Sequence, residues 1–354
     1  MKYLVLPVLV LMLVFAGCVP DYEDPYESTV TPEFNFPSLD PNRYHWLGLD
    51  DPFFEGWYFK VFDPISEESV FFIYGVQNPG RNDDTTGAFL YAQKSDGDFV
   101  YRQFPLSQFS ASVQKLDVTI GSARATDTVI RGAIDDVSWN LTFDIDANWQ
   151  STMGMLTNIP GLPVNWHVNM LDGTASGTVR WGDRDYILQD APAFQDHNWG
   201  PAFPDAWVWL QCNTFFDSDI DSLALAGGPQ GTGISSLDMY MLIFEYEQGR
   251  LEFRSQDLNV VFKSEIDYEA GIFELTATLG YDRVRVRAAT STDALSPVLV
   301  PTYQGMKVGA KEGFVAVVDV YVLKKVNGYW EQVYESSGLN GAIEFGGALA
   351  GYIY

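Results

Sequence analysis

Apolar and polar residues alternate with period two along almost the whole chain, and turn-forming residues interrupt the alternation at short intervals. EGWYFKVFD, SVFFIYGVQ, VSWNLTFDID and TASGTVRW carry it in the first half, and WVWLQCNTF, LDMYMLIFEYE, FELTATLG and FVAVVDVYVLKK in the second. An extended strand turns such a pattern into one apolar face, whereas a helix would scatter it around its circumference. No stretch supports a helix of three turns, because Pro, Gly and β-branched residues break each one that starts. The chain is therefore expected to be all-β.

The strands fall into two runs on either side of Gln189 to Trp207, a segment holding Pro192, Gly200, Pro201 and Pro204. Those residues predict no continuous central strand there, so the domain junction is placed in it, with one domain over 43–195 and the other over 196–354. Roughly eight or more strands per half are enough to close a barrel or a strongly curled sandwich, which removes exposed edges. The crevice between two such bodies is the natural place for a ligand.

Before these domains the chain starts with Lys2, an apolar run from Tyr3 to Phe15, and then Ala16, Gly17 and Cys18. The run is short for a membrane span and reads as a signal peptide over 1–17. Ala-Gly-Cys at its end is a lipobox pattern, so Cys18 is the expected lipidation site and the bacterial cell envelope the expected location, with the membrane met through the lipid anchor only. Residues 18–42, rich in Pro, Asp, Glu and Ser without either period, read as a disordered tether. Cys212 is the one other cysteine, so the folded part is expected to hold by its core without an intrachain disulfide.

With 47 acidic against 21 basic residues, the formal net charge of -26 repels phosphate backbones, and no nucleic acid partner is expected. The chain has no dinucleotide fingerprint, P-loop, His-Glu-x-x-His, Cys-x-x-Cys or Gly-x-Ser-x-Gly, which leaves nucleotide, zinc-protease and ordinary serine-hydrolase chemistry without support. Its three histidines, His45, His167 and His197, lie far apart, so a metal site would need carboxylates as well; no metal, cofactor or protein partner is expected. DSDID at 217–221 reads as a solvated acidic turn, with a calcium site as the other reading of such a cluster.

PFFEGWYFK (52–60), NWG (198–200), WVWLQCN (207–213), LALAGG (223–228) and GAIEFGG (341–347), with GVQNP (75–79) and VPT (300–302) around them, resemble the tocopherol cyclase family in order and spacing. Glu55 to Tyr58 and Asp196 to Gly200 are more remotely similar to the two-domain lipocalin-like group that includes carotenoid 1,2-hydratases. The resemblance implies two lipocalin-like barrels side by side and proton-initiated cyclisation of a prenylated quinol or similar isoprenoid. Such chemistry needs a carboxyl that stays protonated, a wall of rings to tolerate a carbocation, and exclusion of water.

On that footing Glu55, Asp196 and His197 are the candidate catalytic residues. Trp57, Tyr58, Asn198, Trp199, Trp207, Trp209, Gln211, Asn213 and Glu344 are the candidate substrate-binding ones. Strand parity puts Glu55 with Trp57 and Phe59 on one face, and Phe54, Gly56, Tyr58 and Lys60 on the other. Glu55 is thus either an inward-facing acid or a structural residue pairing with a cation or backbone amides. Likewise, Trp207, Trp209, Gln211 and Asn213 share a face that is either a pocket wall or core packing with bonded amides. His167 reads as a buried, hydrogen-bonded ring. Two other functions stay open: a non-catalytic carrier of a hydrophobic ligand, and an alkene hydratase.

Overall fold

The computed structural model describes residues 40–48, 51–154, 164–230 and 237–352. The expected signal segment, Cys18 and most of the tether lie outside the described residues.

Alternation produces strands throughout. The first sheet contains β1 (Phe54–Asp63), β2 (Glu68–Gln77), β3 (Gly87–Lys94), β4 (Phe99–Phe104), β5 (Phe109–Ala111), β6 (Asp117–Ile120), β7 (Ala123–Thr126), β8 (Val129–Ile134), β9 (Val137–Trp149), β10 (Asn165–Trp181) and β11 (Arg184–Gly200). The second contains β12 (Ala206–Cys212), β13 (Ser222–Gln230), β14 (Leu237–Tyr246), β15 (Gly249–Arg254), β16 (Val260–Asp267), β17 (Ile272–Leu279), β18 (Asp282–Ala289), β19 (Ser296–Thr302), β20 (Gly305–Val326) and β21 (Tyr329–Gly347). Among the described residues there is no α-helix; short 3-10 turns lie at 106–108, 292–294 and 348–350.

All pairings are antiparallel. The first sheet runs β4-β3-β2-β1-β11-β10-β9-β8-β7-β6-β5, and the second β15-β14-β13-β12-β21-β20-β18-β17-β16, with β19 paired to β20. Both sheets curl far enough that β3 nears β6 and β14 nears β16, giving two nearly closed, lipocalin-like barrels.

Three apolar clusters result from the parity of the central strands. Trp57, Phe59 and Val61 point into the first barrel, and Val208, Leu210 and Cys212 into the second. Phe71, Trp166, Phe194, Trp207, Trp209 and Phe314, from the outward faces of both sheets, make a third cluster between the barrels. A ring shielded on one barrel's outer face gains the same burial as a core residue, about 1.5–3 kcal/mol each.

β11 corrects one sequence expectation. It runs unbroken through Pro192 to Gly200 and is a central strand, flanked by β1 and β10. Pro192 is accommodated because β1 pairs with β11 only as far as Val61 opposite Ala193, and the β10 ladder is irregular between Met170 and Thr174. Pro192 remains the register partner of Thr174 on β10, and a proline is tolerated where one ladder has stopped and the other has just passed an irregularity. The chain passes between sheets over 201–205, where Pro201 and Pro204 do interrupt pairing.

Trp207 lies across Gly346, its partner on β21; a Cβ there would meet the ring at 1.9 Å. Gly346→Ala is predicted to displace Trp207 and to cost about 1–3 kcal/mol, read from the midpoint of urea unfolding. An unchanged midpoint would show that the ring moves aside freely.

Candidate active site

The outward faces of the two sheets do not meet everywhere. They leave a cavity of about 460 Å³ between the barrels, lined mainly by apolar side chains such as Phe54, Phe71, Met241, Val298 and Leu299. Its polar groups are few. Tyr58 on β1 is the register partner of Asp196 on β11. On the facing sheet, Trp209, Glu344 and Glu312 form a row across β12, β21 and β20.

Ring N–H and O–H groups hold these carboxyls. Trp166 Nε1 and Trp209 Nε1 both donate to Asp196 Oδ2, at 2.8 and 2.9 Å, so that one carboxyl ties the two sheets together. Tyr58 donates to Glu312 Oε1 at 2.9 Å, and Trp207 Nε1 donates to Glu344 Oε1 at 2.5 Å. None of the three forms an ion pair among the described residues.

Neutral donors offset only part of the desolvation of a carboxylate. Burial pushes Asp196 up to about 7, with Glu344 adding to the effect and the two indole bonds opposing it. Burial likewise lifts Glu344 to about 7 against the Trp207 bond. Glu312 is held well above the usual carboxylate range by burial and then by Glu344 alongside, while Tyr58 and Lys60 pull the other way. Two adjacent buried carboxyls cannot both ionise cheaply, so the Glu312 and Glu344 pair retains a proton near neutrality.

The structure divides the predicted residues into two groups. Tyr58, Asp196, Asn198, Trp207, Trp209 and Glu344 line the cavity. Glu55, Trp57, His197 and Trp199 lie on the other face of β1 and β11. The parity reading was sound, but that face belongs to the first barrel: Trp57 packs in its core and donates to the Asn42 carbonyl at 2.9 Å. Glu55 is fully buried, against His45 and His197 rather than in the cavity.

Gln211 and Asn213 are also corrected as substrate contacts, because their amides are already engaged. Lys60 Nζ donates to Gln211 Oε1 at 2.8 Å, Gln211 Nε2 to Asn213 Oδ1 at 2.9 Å, and Asn213 Nδ2 to Asp172 Oδ1 at 3.0 Å. This chain pins the barrels together beside the cavity. Lys60 is thereby buried with an amide oxygen for a partner, and burial brings its ammonium down to about 8.

Glu312 was not singled out from sequence. The signal available was the Glu-Gly-aromatic pattern of 312–314, which repeats that of 55–57. A bulge between Gly313 and Ala316 then reverses the parity of β20: Ala310 and Phe314 face the inter-barrel cluster, while Ala316 and Val318 face the second barrel's core.

Because Trp166 and Trp209 share Asp196 as acceptor, titration of that carboxyl is predicted to perturb their emission. Wild-type protein should show a tryptophan fluorescence transition centred near pH 7 that loses amplitude in Asp196→Asn. A full-amplitude transition in the variant would assign it elsewhere.

Comparison with known proteins follows the same motifs. A family profile described as Tocopherol cyclase-like matches residues 51–140 and 124–347. The chloroplastic tocopherol cyclase of Zea mays is 25% identical over 347 residues, an alignment covering 78% of this chain and 73% of that protein. Among solved structures, an AttH-type protein from Nitrosomonas europaea matches with a TM-score of 0.51 at 15% identity, covering 91% of this chain and 99% of that one. CghA matches with a TM-score of 0.52 at 12% identity, covering 84% and 88%. These two likenesses are of fold alone. With the family profile spanning most of the described residues, this chain belongs to the tocopherol cyclase-like family.

Proposed function

We propose that the protein is an enzyme that closes a ring on a prenylated quinol or similar isoprenoid substrate by protonating its double bond. The observation that carries this reading is the convergence of Asp196 and Glu312, both buried, and the half-buried Glu344, none of them ion-paired among the described residues, in an apolar, ring-lined cavity. Family membership and the chloroplastic cyclase of Zea mays support the same class of reaction.

Asp196 is assigned as the proton donor. Both indole N–H groups fall on its Oδ2, which leaves Oδ1 to carry the proton. Transfer to the less substituted alkene carbon creates a tertiary cation, and the faces of Trp207, Trp209 and Tyr58 offer it stabilisation of about 2 kcal/mol or more in a dry site. The quinol oxygen attacks the cation, forming the C–O bond. Its hydroxyl proton passes to the Glu312 and Glu344 pair, so that one proton enters, one leaves, and the product has the mass of the substrate. The apolar lining keeps water from capturing the cation first.

Incubation with a prenylated hydroquinol should give a chromanol-type product of unchanged mass. Asp196→Asn is predicted to lower turnover by roughly 10²–10⁴-fold while leaving affinity within a few-fold. Since Asp196 must be protonated and the Glu312 and Glu344 pair must have room for a proton, the wild-type rate should peak near neutrality, falling above about 7 as Asp196 ionises and falling at lower pH as Glu344 takes up its proton. Full turnover by Asp196→Asn would remove it as the donor; a gain of one water would indicate hydration, and binding without product a carrier.

We also propose attachment to the cell envelope through a lipid on Cys18, on the strength of the Ala-Gly-Cys pattern after the apolar run. Cys18→Ser should move the protein from the membrane to the soluble fraction; an unchanged membrane fraction would exclude the anchor.

A further inference from the structure

On the face of β1 away from the cavity, two side chains distant in sequence converge on one carboxylate. His45 Nδ1 and His197 Nε2 each lie 2.9 Å from Glu55 Oε1. The ligand atoms of all three residues are within 4.8 Å of one another. We infer that His45 Nδ1, His197 Nε2 and the Glu55 carboxylate form a binding site for one zinc-type divalent ion, which clips residues 40–46 to the first barrel.

The donor set favours that class of ion. Two imidazole nitrogens and one carboxylate oxygen suit zinc and its first-row neighbours, and they suit magnesium and calcium poorly. Bonds of about 2.0–2.2 Å to a tetrahedral ion place ligand atoms about 3.3 Å apart. The two nitrogen-to-carboxylate separations of 2.9 Å need only a slight outward adjustment, and the two nitrogens, within 4.8 Å of each other, would turn toward the ion, with water completing the fourth position.

The groups around the cluster hold the ligands in place. His45 stacks on Trp199, with ring centroids 3.8 Å apart and planes at 5°, and His197 on Trp57 at 4.7 Å and 16°. The His45 backbone N–H donates to Glu55 Oε2 at 2.9 Å, and the Trp46 N–H also acts on this carboxyl. Rings and carboxylate fixed by an outer shell are what a metal site requires.

A buried polar atom gives the second observation. His197 is fully buried and its Nδ1 has no hydrogen-bond partner of good geometry, although the Pro41 carbonyl acts on the ring. If Nε2–H donates to Glu55, Nδ1 is a bare acceptor, at a cost of about 1–3 kcal/mol. If the proton sits on Nδ1 instead, it can be offered to Pro41, and the Nε2 lone pair then aims at Glu55 Oε1. That arrangement needs a positive centre between them. A proton there serves one imidazole, whereas a cation serves both lone pairs and the carboxylate at once.

The protonation states agree with this geometry. Burial keeps both rings neutral, lowering His45 to about 3 with Arg43 and His167 adding to the effect, and His197 well below its usual value. Burial also raises Glu55 well above the carboxylate range. Metal binding would therefore expel the Glu55 proton. His45 is 11% exposed and provides the way in.

The strap explains what the ion would do. Residues 40–46 cross the first barrel, with Tyr44 N–H donating to the Ser112 carbonyl at 2.9 Å and the Asn42 amide to Asp127 Oδ1 at 2.9 Å. A metal bonded to His45 would add to the hydrogen bonds that already tie the strap to β1, the strand that carries Tyr58 into the cavity.

The test uses the untagged chain, stripped with a chelator and dialysed against micromolar zinc or cobalt. Elemental analysis should find one zinc per chain, cobalt should give the visible bands of a tetrahedral site, and zinc should raise the thermal midpoint. In His45→Ala, a substitution in the partly exposed strap, and in Glu55→Gln, zinc should fall to background and the thermal shift should vanish, with circular dichroism confirming the fold. Wild-type protein that retains no metal would overturn the proposal in favour of a proton-linked cluster. Equal zinc in His45→Ala would overturn it in favour of an incidental surface site.

Discussion

Holding three carboxyls that have no cation bonded to them in a largely apolar cavity is the constraint on which the site depends. Asp196, Glu312 and Glu344 receive hydrogen bonds from indoles and a phenol, groups that orient an acid without ionising it. An arginine in the same place would bring each carboxyl down and leave no proton to give. The large aromatic content thus has an electrostatic as well as a packing role: Trp207, Trp209 and Trp166 line the cavity and hold its carboxyls.

The same constraint explains how β1 is organised. One face carries Tyr58 into the cavity and Lys60 into the amide chain beside it, while the other carries Glu55 and Trp57 into the first barrel. Two acids of one neighbourhood, Glu55 and Asp196, are separated by the thickness of a sheet and meet quite different surroundings. The Glu55 side is closed by histidines and backbone amides; the Asp196 side opens on space enough for a ligand.

Much of this was legible in the sequence. Period-two alternation specified strands, their number required curled sheets, and parity correctly sorted the residues of β1 and β12 into faces. Parity could not say which face met the cavity, because both faces of these strands are buried and apolar. Glu55 drew attention as an acid among rings, yet the rings around it are those of the barrel interior. Gln211 and Asn213 suggested a polar ligand because their partners, Lys60 and Asp172, are distant in sequence. The prolines around β11 suggested a break, since sequence does not show where a ladder has already ended. Glu312 lay hidden because alternation is read on the assumption of constant phase, and β20 changes phase at its bulge.

That change of phase has a bearing on how such a site could diversify. β20 is 22 residues long and contributes to the inter-barrel wall as far as Phe314 and to the second barrel's core from Ala316. Sliding the irregularity by one position would re-aim the residue it passes, with no alteration in amino-acid content and little in barrel shape. Single-residue insertions or deletions near this point would therefore replace the functional groups offered to a ligand wholesale, a larger chemical step than any point substitution there could take.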